Sequence, residues 1–480
     1  MINKHFLKLV LACCFFITMT GFAQEKAKKI DKLMTYCWEN GIFNGTISVV
    51  ENQKVIYKKA FGLADFETKT NLETDYVFYL ASVSKQFTSM SIMILKERGK
   101  LSYDDPLSKY FPEFPVYAKK VSIRHLMTHT SGIPDHFRLG ANRPGLKNQD
   151  VLDLLIKQDS LDFQPGEKFS YSNGGYVLLA MITEQVSELP LHTFMKKNIF
   201  EPLGMGSSLV YDESKPDIAR KAVGYNLDGE KDDYNILTTG AGGIYSNVED
   251  LFIWDQALYE NKLVDQKTLN EAFQPFKLNN DTLSNYGYGW GISEDEFGKR
   301  VSHSGGLAGF RTYIERQLES QKTIILLTNN GNAFASGGIR IALRNILNNK
   351  EYTLPKIPIT IALNEMLKTK EISEVLAQYQ SLKKNNEQNY DFNENQLNNL
   401  GYQLLGENKI KDAIEVFKLN TQIYPESFNP YDSLGEAYLL DGNKKLAISN
   451  YKKSLELNPN NTNAKKVLIK LGEESPSTTK

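Results

Sequence analysis

The sequence predicts an α+β domain, with an antiparallel sheet flanked by helices and a helical subdomain, followed by an all-α domain. Two observations carry this. Strand-like segments lie at both ends of a long helical middle, so one sheet is built from both ends of the first domain. The far end of the chain repeats itself at a fixed interval. The length of 480 residues agrees, being more than one typical core accommodates.

The chain opens with Lys4 and Lys8, an apolar run from Leu9 to Met19, and Gly21-Phe22-Ala23. This order predicts an export signal over residues 1–23, cut after Ala23, and a periplasmic or secreted protein. Lipoprotein anchoring at Cys13 fits less well, because the apolar run continues past it. No later run approaches 18 apolar residues, so no transmembrane segment is expected. Cys13 and Cys14 leave with the signal, and Cys37 alone supports neither a disulfide nor a zinc cluster. Lys plus Arg (56) nearly balances Asp plus Glu (57), which leaves no basic field for nucleic acid.

The stretch Gly45 to Gly62 reads as a hairpin turning at Glu51 to Lys54. A helix follows Ser82 and ends near Gly99, a residue suited to the position past a helix end. Helical patterns continue to about Trp254, after which "YGYGWGI", "RVSHSGGLAGFRTYIERQ" and "KTIILLTNN" return to strand character. Beyond residue 390, Leu400-Gly401 recurs as Leu434-Gly435, Ala413 as Ala447, Phe417 as Tyr451 and Pro425 as Pro459, each 34 residues on. Helical spacing of Ile372, Val375, Leu376, Tyr379 and Leu382 predicts a degenerate helix pair upstream, and Ala464, Val467, Leu468 and Leu471 a closing helix.

Chemistry enters at "FYLASVSKQFTSM". Lys85 in the first helical turn opposes the helix dipole, at a cost of a few tenths of a kcal/mol. Ser82 stands three residues earlier, one turn away on the same face. The spacing alone is weak: it occurs at Ser82, Ser381, Ser449 and Ser477, and a lone serine there reads as a helix cap. Two other segments add to it. In "FSYSNGGY", Tyr171 can pass a proton and Asn173 can orient a carbonyl. Tyr245-Ser246-Asn247 repeats the tripeptide, but Ser246 with Glu249 reads as a capping box. In "VSHSGGLAGF", the glycines after His303 permit close approach of a substrate, and a strand edge can offer an N–H to an oxyanion.

Ser-x-x-Lys, Tyr-Ser-Asn and His-x-Gly in this order resemble the serine β-lactamase and penicillin-binding-protein superfamily, nearest its class C-related branch, which also contains D,D-carboxypeptidases, D-amino-acid peptidases and carboxylesterases. The resemblance covers roughly residues 25 to 350 and includes "LMTHTSGIPD", "PGEKFSYSNGGY" and "AGGIYSNVEDLFIW". It implies a hydrolase domain over 24–350, with Ser82 as nucleophile, Lys85 and Tyr171 as base and proton relay, and the amides of Ser82 and Gly306 as oxyanion hole. Asn173, His303 and Gly305 would bind substrate. His303 stands where true β-lactamases carry lysine, so an imidazolium would attract acidic substrates only in part. The 34-residue period resembles the tetratricopeptide repeat. It implies a linker and degenerate helix pair over 351–390, repeats over 391–472 that bind a protein partner, and a disordered tail over 473–480.

The leading expectation is an exported serine acyl hydrolase that cleaves a small acyl or peptide substrate without cofactor or metal. A class C-type β-lactamase and a binding scaffold with a hydrolase-like fold are the alternatives. His125 and His129, four apart, lack a third ligand and are expected to bond locally. "TTGAGG" lacks phosphate-loop spacing. Tyr286, Tyr288 and Trp290 alternate as on a strand.

Overall fold

The computed structural model describes residues 24–226, 229–234, 237–331 and 336–473. The predicted signal and nearly all of the predicted tail lie outside them. The chain forms two compact units, one of residues to Glu39 with Phe43–Thr353, the other of Asn40–Ile42 with Leu354 onward.

The first unit is built on a six-stranded antiparallel sheet. Its strands are β1 (Gly45–Glu51), β2 (Lys54–Phe61), β3 (Gly291–Asp295), β4 (Gly298–Leu307), β5 (Phe310–Gln317) and β6 (Lys322–Thr328), in the spatial order β2-β1-β6-β5-β4-β3. The two ends of the unit therefore meet at the β1–β6 pair. Asn52 and Gln53 turn the first hairpin with φ of 52° and 62°, the two left-handed residues that match the twist of the flanking strands. β1 and β6 are buried along nearly their whole length, and helix α4 (Val248–Ala257) packs on both.

"YGYGWGI" departs from expectation. Only from Gly291 does it become strand; Tyr286, Tyr288 and Trp290 are all buried in an irregular segment that Gly289 bends with φ of 79°. A side chain at Gly289 would come within 2.8 Å of the Lys85 carbonyl, so close packing on the central helix replaces strand pairing here. The cap of α4 also sits one residue later than the Ser246–Glu249 reading. Asn247 Oδ1 accepts from the Asp250 amide at 2.8 Å, while Ser246 shares a hydrogen bond with Ser208.

After the N-terminal helix α1 (residues 24–39), helix α2 (Lys85–Glu97) lies among the helices, with every residue from Lys85 to Leu95 buried. Enclosed on all sides, its polar residues find partners: Thr88 donates to the Gly240 carbonyl, Ser91 to the Phe87 carbonyl, and Gln86 Oε1 accepts from Trp254 Nε1, while Gln86 Nε2 has no partner among the described residues. Helix α3 (Asn173–Ser187) packs along α2.

The second unit is helical: Ile359–Leu367, Ile372–Asn386, Glu394–Gly406, Ile410–Ile423, Phe428–Leu440, Lys444–Leu457 and Thr462–Lys470, with a short parallel bridge of Ile357–Pro358 to Tyr390–Asp391. Its close approaches recur with the sequence period. A Cβ at Gly401 would meet the Phe417 ring at 2.3 Å, and one at Gly435 the Tyr451 ring at 3.1 Å. No helix among the described residues is long and apolar enough to cross a membrane.

Candidate active site

Ser82 lies in a short 3₁₀ turn, Ala81–Ser84, immediately before α2. The turn is strained: Ala81 has φ of 48°, a left-handed conformation that non-glycine residues rarely adopt. Its neighbours hold it there. The Leu80 amide donates to the Ile244 carbonyl (2.8 Å), and the Leu80 carbonyl accepts from Thr312 Oγ1 (2.7 Å) on β5.

Lys85 is fully buried, and its Nζ has three partners: Ser82 Oγ at 3.0 Å, Asn173 Oδ1 at 2.9 Å and the Ala241 carbonyl at 2.8 Å. Burial lowers its pKa from 10.5 to about 7, and the Asp135 charge opposes this. The partner set suits the neutral amine. Two N–H bonds go to the two carbonyl-type acceptors, which leaves the lone pair directed at the Ser82 hydroxyl.

Asn173 opens α3, where Ser172 is the N-cap, its Oγ accepting from the Gly175 amide at 3.3 Å. Asp135 holds Asn173 twice through Oδ2, accepting from its backbone N–H at 2.8 Å and its Nδ2 at 2.9 Å. That anchors the amide so that Oδ1 faces Lys85. Tyr171 places its ring 4.9 Å from Lys85 Nζ. Burial raises the Tyr171 pKa well above the phenol range, partly offset by a hydrogen bond with Ser82, so the hydroxyl keeps its proton. His129 lies against the Tyr171 ring at 4.1 Å, with its Nδ1 accepting from the Ser172 amide at 3.2 Å. His125 instead closes a capping box with Ser122. Among the described residues no acidic, histidine or cysteine cluster could hold a metal.

Strand β4 completes the enclosure. Its pairing with β3 covers only Gly298 to Ser302, so from His303 onward one side of β4 is open at the sheet edge. The strand also passes close to the Ser82 turn: a Cβ at Gly305 would be 2.2 Å from the Leu80 carbonyl and 3.1 Å from the Ser82 amide nitrogen. Only glycine fits there.

His303 corrects the expectation of an imidazolium. Its ring is buried; Nδ1 donates to the Ser304 carbonyl at 2.6 Å, and Nε2 therefore accepts from the Tyr286 hydroxyl at 2.8 Å. Burial and the nearby Lys85 charge lower its pKa to about 3. It is a neutral support for Tyr286 and offers no charge to an acidic substrate. The glycine-rich loop set aside in the sequence is part of the site: it supplies the Ala241 carbonyl to Lys85 and the Gly240 carbonyl to Thr88. Asp135 was missed, while His129 was read as bonding locally and Tyr286 as a strand residue. Asp135 and His129 stand inside "LMTHTSGIPD", whose resemblance to the superfamily was the available signal.

Residues 27–346 match the Beta-lactamase family. The chain belongs to the β-lactamase and penicillin-binding-protein family. Within this family it is 36% identical over 358 residues to penicillin-binding protein 4* of Bacillus subtilis, covering 70% of this chain and 79% of that one. It is 32% identical over 338 residues to a putative penicillin-binding protein, PbpX, of the same organism, covering 68% and 81%. A solved family structure, the octameric penicillin-binding protein homologue from Pyrococcus abyssi, superposes with a TM-score of 0.60 at 27% identity, over 71% of this chain and 81% of that one. The chain is thus a serine hydrolase of this family.

Proposed function

We propose that this protein is an exported acyl hydrolase that cleaves an amide or ester through a Ser82 acyl-enzyme. The observation that carries the reading is the three-partner geometry of Lys85, which presents a neutral amine to the Ser82 hydroxyl. In acylation Lys85 takes the Ser82 proton as Oγ bonds to the acyl carbon. The developing oxyanion is met by the amides of Ser82 and Gly306, across the open edge of β4. The carbon–leaving-group bond then breaks as the Tyr171 hydroxyl, kept protonated by burial, donates to the departing atom. The proton on Lys85 restores Tyr171, and water attacks the acyl-enzyme by the reverse relay. Asn173 orients the substrate carbonyl side while holding Lys85.

The neutral His303 favours peptidase, amidase or esterase activity over β-lactam hydrolysis, because no permanent cation stands at that position to draw in a β-lactam carboxylate. Export rests on the N-terminal pattern of residues 1–23, and partner binding by tetratricopeptide-like repeats on the 34-residue period. A fluorophosphonate probe tests the central claim: it should label the wild type and not Ser82→Ala. Equal labelling of both would remove the mechanism. Screening a chromogenic cephalosporin, short nitrophenyl esters and D-alanyl peptides separates the three activities.

A further inference from the structure

A cavity of about 640 Å³ opens beyond the nucleophile, lined by Ser304, Gly305 and Gly306 of β4 and by Arg311, Asp232 and Arg340. None of Ser82, Lys85, Tyr171 or Asn173 lines it. Gly305 belongs both to this lining and to the contact with the Ser82 turn, where a Cβ would be 3.1 Å from the Ser82 amide nitrogen, so a substrate held at Ser82 with its leaving atom beside Tyr171 can extend its acyl portion into this space.

Arg311 faces Gly306 across the β4–β5 hairpin, and a Cβ at Gly306 would lie 3.3 Å from Arg311 Cδ. The absent side chain lets the arginine lie along the strand edge. Its Nη1 donates to the carbonyls of Ala308 (2.8 Å) and Phe310 (2.7 Å), which fixes the guanidinium at the hairpin. Arg340 stacks over the Tyr313 ring, its guanidinium carbon 4.3 Å from the centroid. Asp232 is the acidic residue of the lining, held at this end by the Gly309 amide donating to its carbonyl at 2.9 Å. Burial lifts the Asp232 carboxyl above its ordinary range, and the Arg311 charge opposes that.

With His303 neutral, the cations along this end of β4 are guanidinium groups, which stay charged at every working pH and match a carboxylate in shape. We propose that this cavity is the acyl-side subsite of the hydrolase, and that Arg311 selects acyl donors carrying a free carboxylate. The inference rests on the acyl-hydrolase reading above.

The test uses two esters with one leaving group, the mono-4-nitrophenyl ester of glutaric acid and 4-nitrophenyl pentanoate, on the full-length protein. Wild type should favour the glutarate in kcat/KM by at least about tenfold, the size of one charge-assisted hydrogen bond. Arg311→Met should bring that ratio near unity, and Arg311→Lys should leave it intermediate. Asp232→Asn, which removes the competing carboxylate, should raise the ratio and serves if Arg311→Met fails to melt cooperatively. Wild type that hydrolyses both esters without preference overturns the subsite alone, as does a ratio unchanged in Arg311→Met or lowered in Asp232→Asn. Wild type that hydrolyses neither ester and resists the fluorophosphonate overturns the acyl-hydrolase reading itself.

Discussion

Lys85 Nζ lies 3.0 Å from Ser82 Oγ, while its two other partners, Asn173 Oδ1 and the Ala241 carbonyl, only accept. A charged ammonium would spend its third proton on the very hydroxyl it must activate. In the proposed mechanism the base is therefore the deprotonated amine, and its pKa of about 7 sets when it is available. The acylation rate should rise through about pH 7 and level off above it. Lys85→Ala should lower that rate at least roughly a hundredfold while the fold persists. A change confined to KM would mean that Lys85 only binds.

The same burial makes stability depend on pH. Between about 7 and 10.5 the unfolded chain binds a proton that the folded chain does not, so this group makes stability rise with pH across that window. Below it both states are charged, and the penalty of burying the ammonium is fully present. Lys85→Met should therefore raise Tm most below pH 7, with the gain shrinking toward pH 10. A pH-independent difference in Tm would contradict the depressed pKa.

Asp135 links two of these effects. Its carboxylate raises the pKa of Lys85 and anchors Asn173 through two hydrogen bonds. Asp135→Asn removes the charge, so the acid limb of the rate profile should move to lower pH. The plateau should fall roughly tenfold to a hundredfold as Asn173 loses its hold. A lower plateau with an unmoved acid limb would make Asp135 merely structural.

The imidazole of His303 should contribute no pH step near neutrality, because both ring nitrogens are already committed and its pKa lies at about 3. Initial rates for a neutral and an acidic ester, measured from about pH 5 upward, should share one acid limb, that of Lys85. An additional loss of activity with rising pH, seen only for the acidic ester and abolished in His303→Gln, would restore the imidazolium.

What the sequence displayed and what it hid divide along physical lines. Ser82, Lys85, Tyr171 and Asn173 were legible because each carries its chemistry in the side chain and stands in a short, spaced motif. The sheet was legible from strand patterns at both ends of the domain, since pairing of β1 with β6 needs only that both be buried on two faces. The Ala241 carbonyl was not, because a main-chain acceptor has no residue-type signature. His303 was misjudged for another reason: its charge depends on burial and on Tyr286, 17 positions earlier, which folding alone brings to 2.8 Å. Tyr286 itself was read as part of a strand because alternation of aromatics cannot distinguish a pleat from a glycine-bent segment.

The helical unit takes in Asn40–Ile42 and the chain from Leu354 onward, and its core cluster, from Ile359 to Leu468, is made of its own side chains. The main core cluster of the hydrolase unit is likewise made of that unit's own side chains, from Ala64 to Leu327, with further buried residues such as Ile47, Val49 and Leu343. Each unit therefore has the buried apolar set that independent folding requires. All residues assigned chemistry precede residue 312, and the last hydrolase helix, Ser336–Leu347, is tied to β5 by Arg344 bonding Glu315 at 2.8 and 2.6 Å. A chain ending at Thr353 should fold, melt cooperatively and keep most of its turnover on 4-nitrophenyl acetate. If the shortened protein melts cooperatively yet has lost that turnover, the helical unit contributes to catalysis on small substrates. Its function would then extend beyond the proposed recognition of a partner.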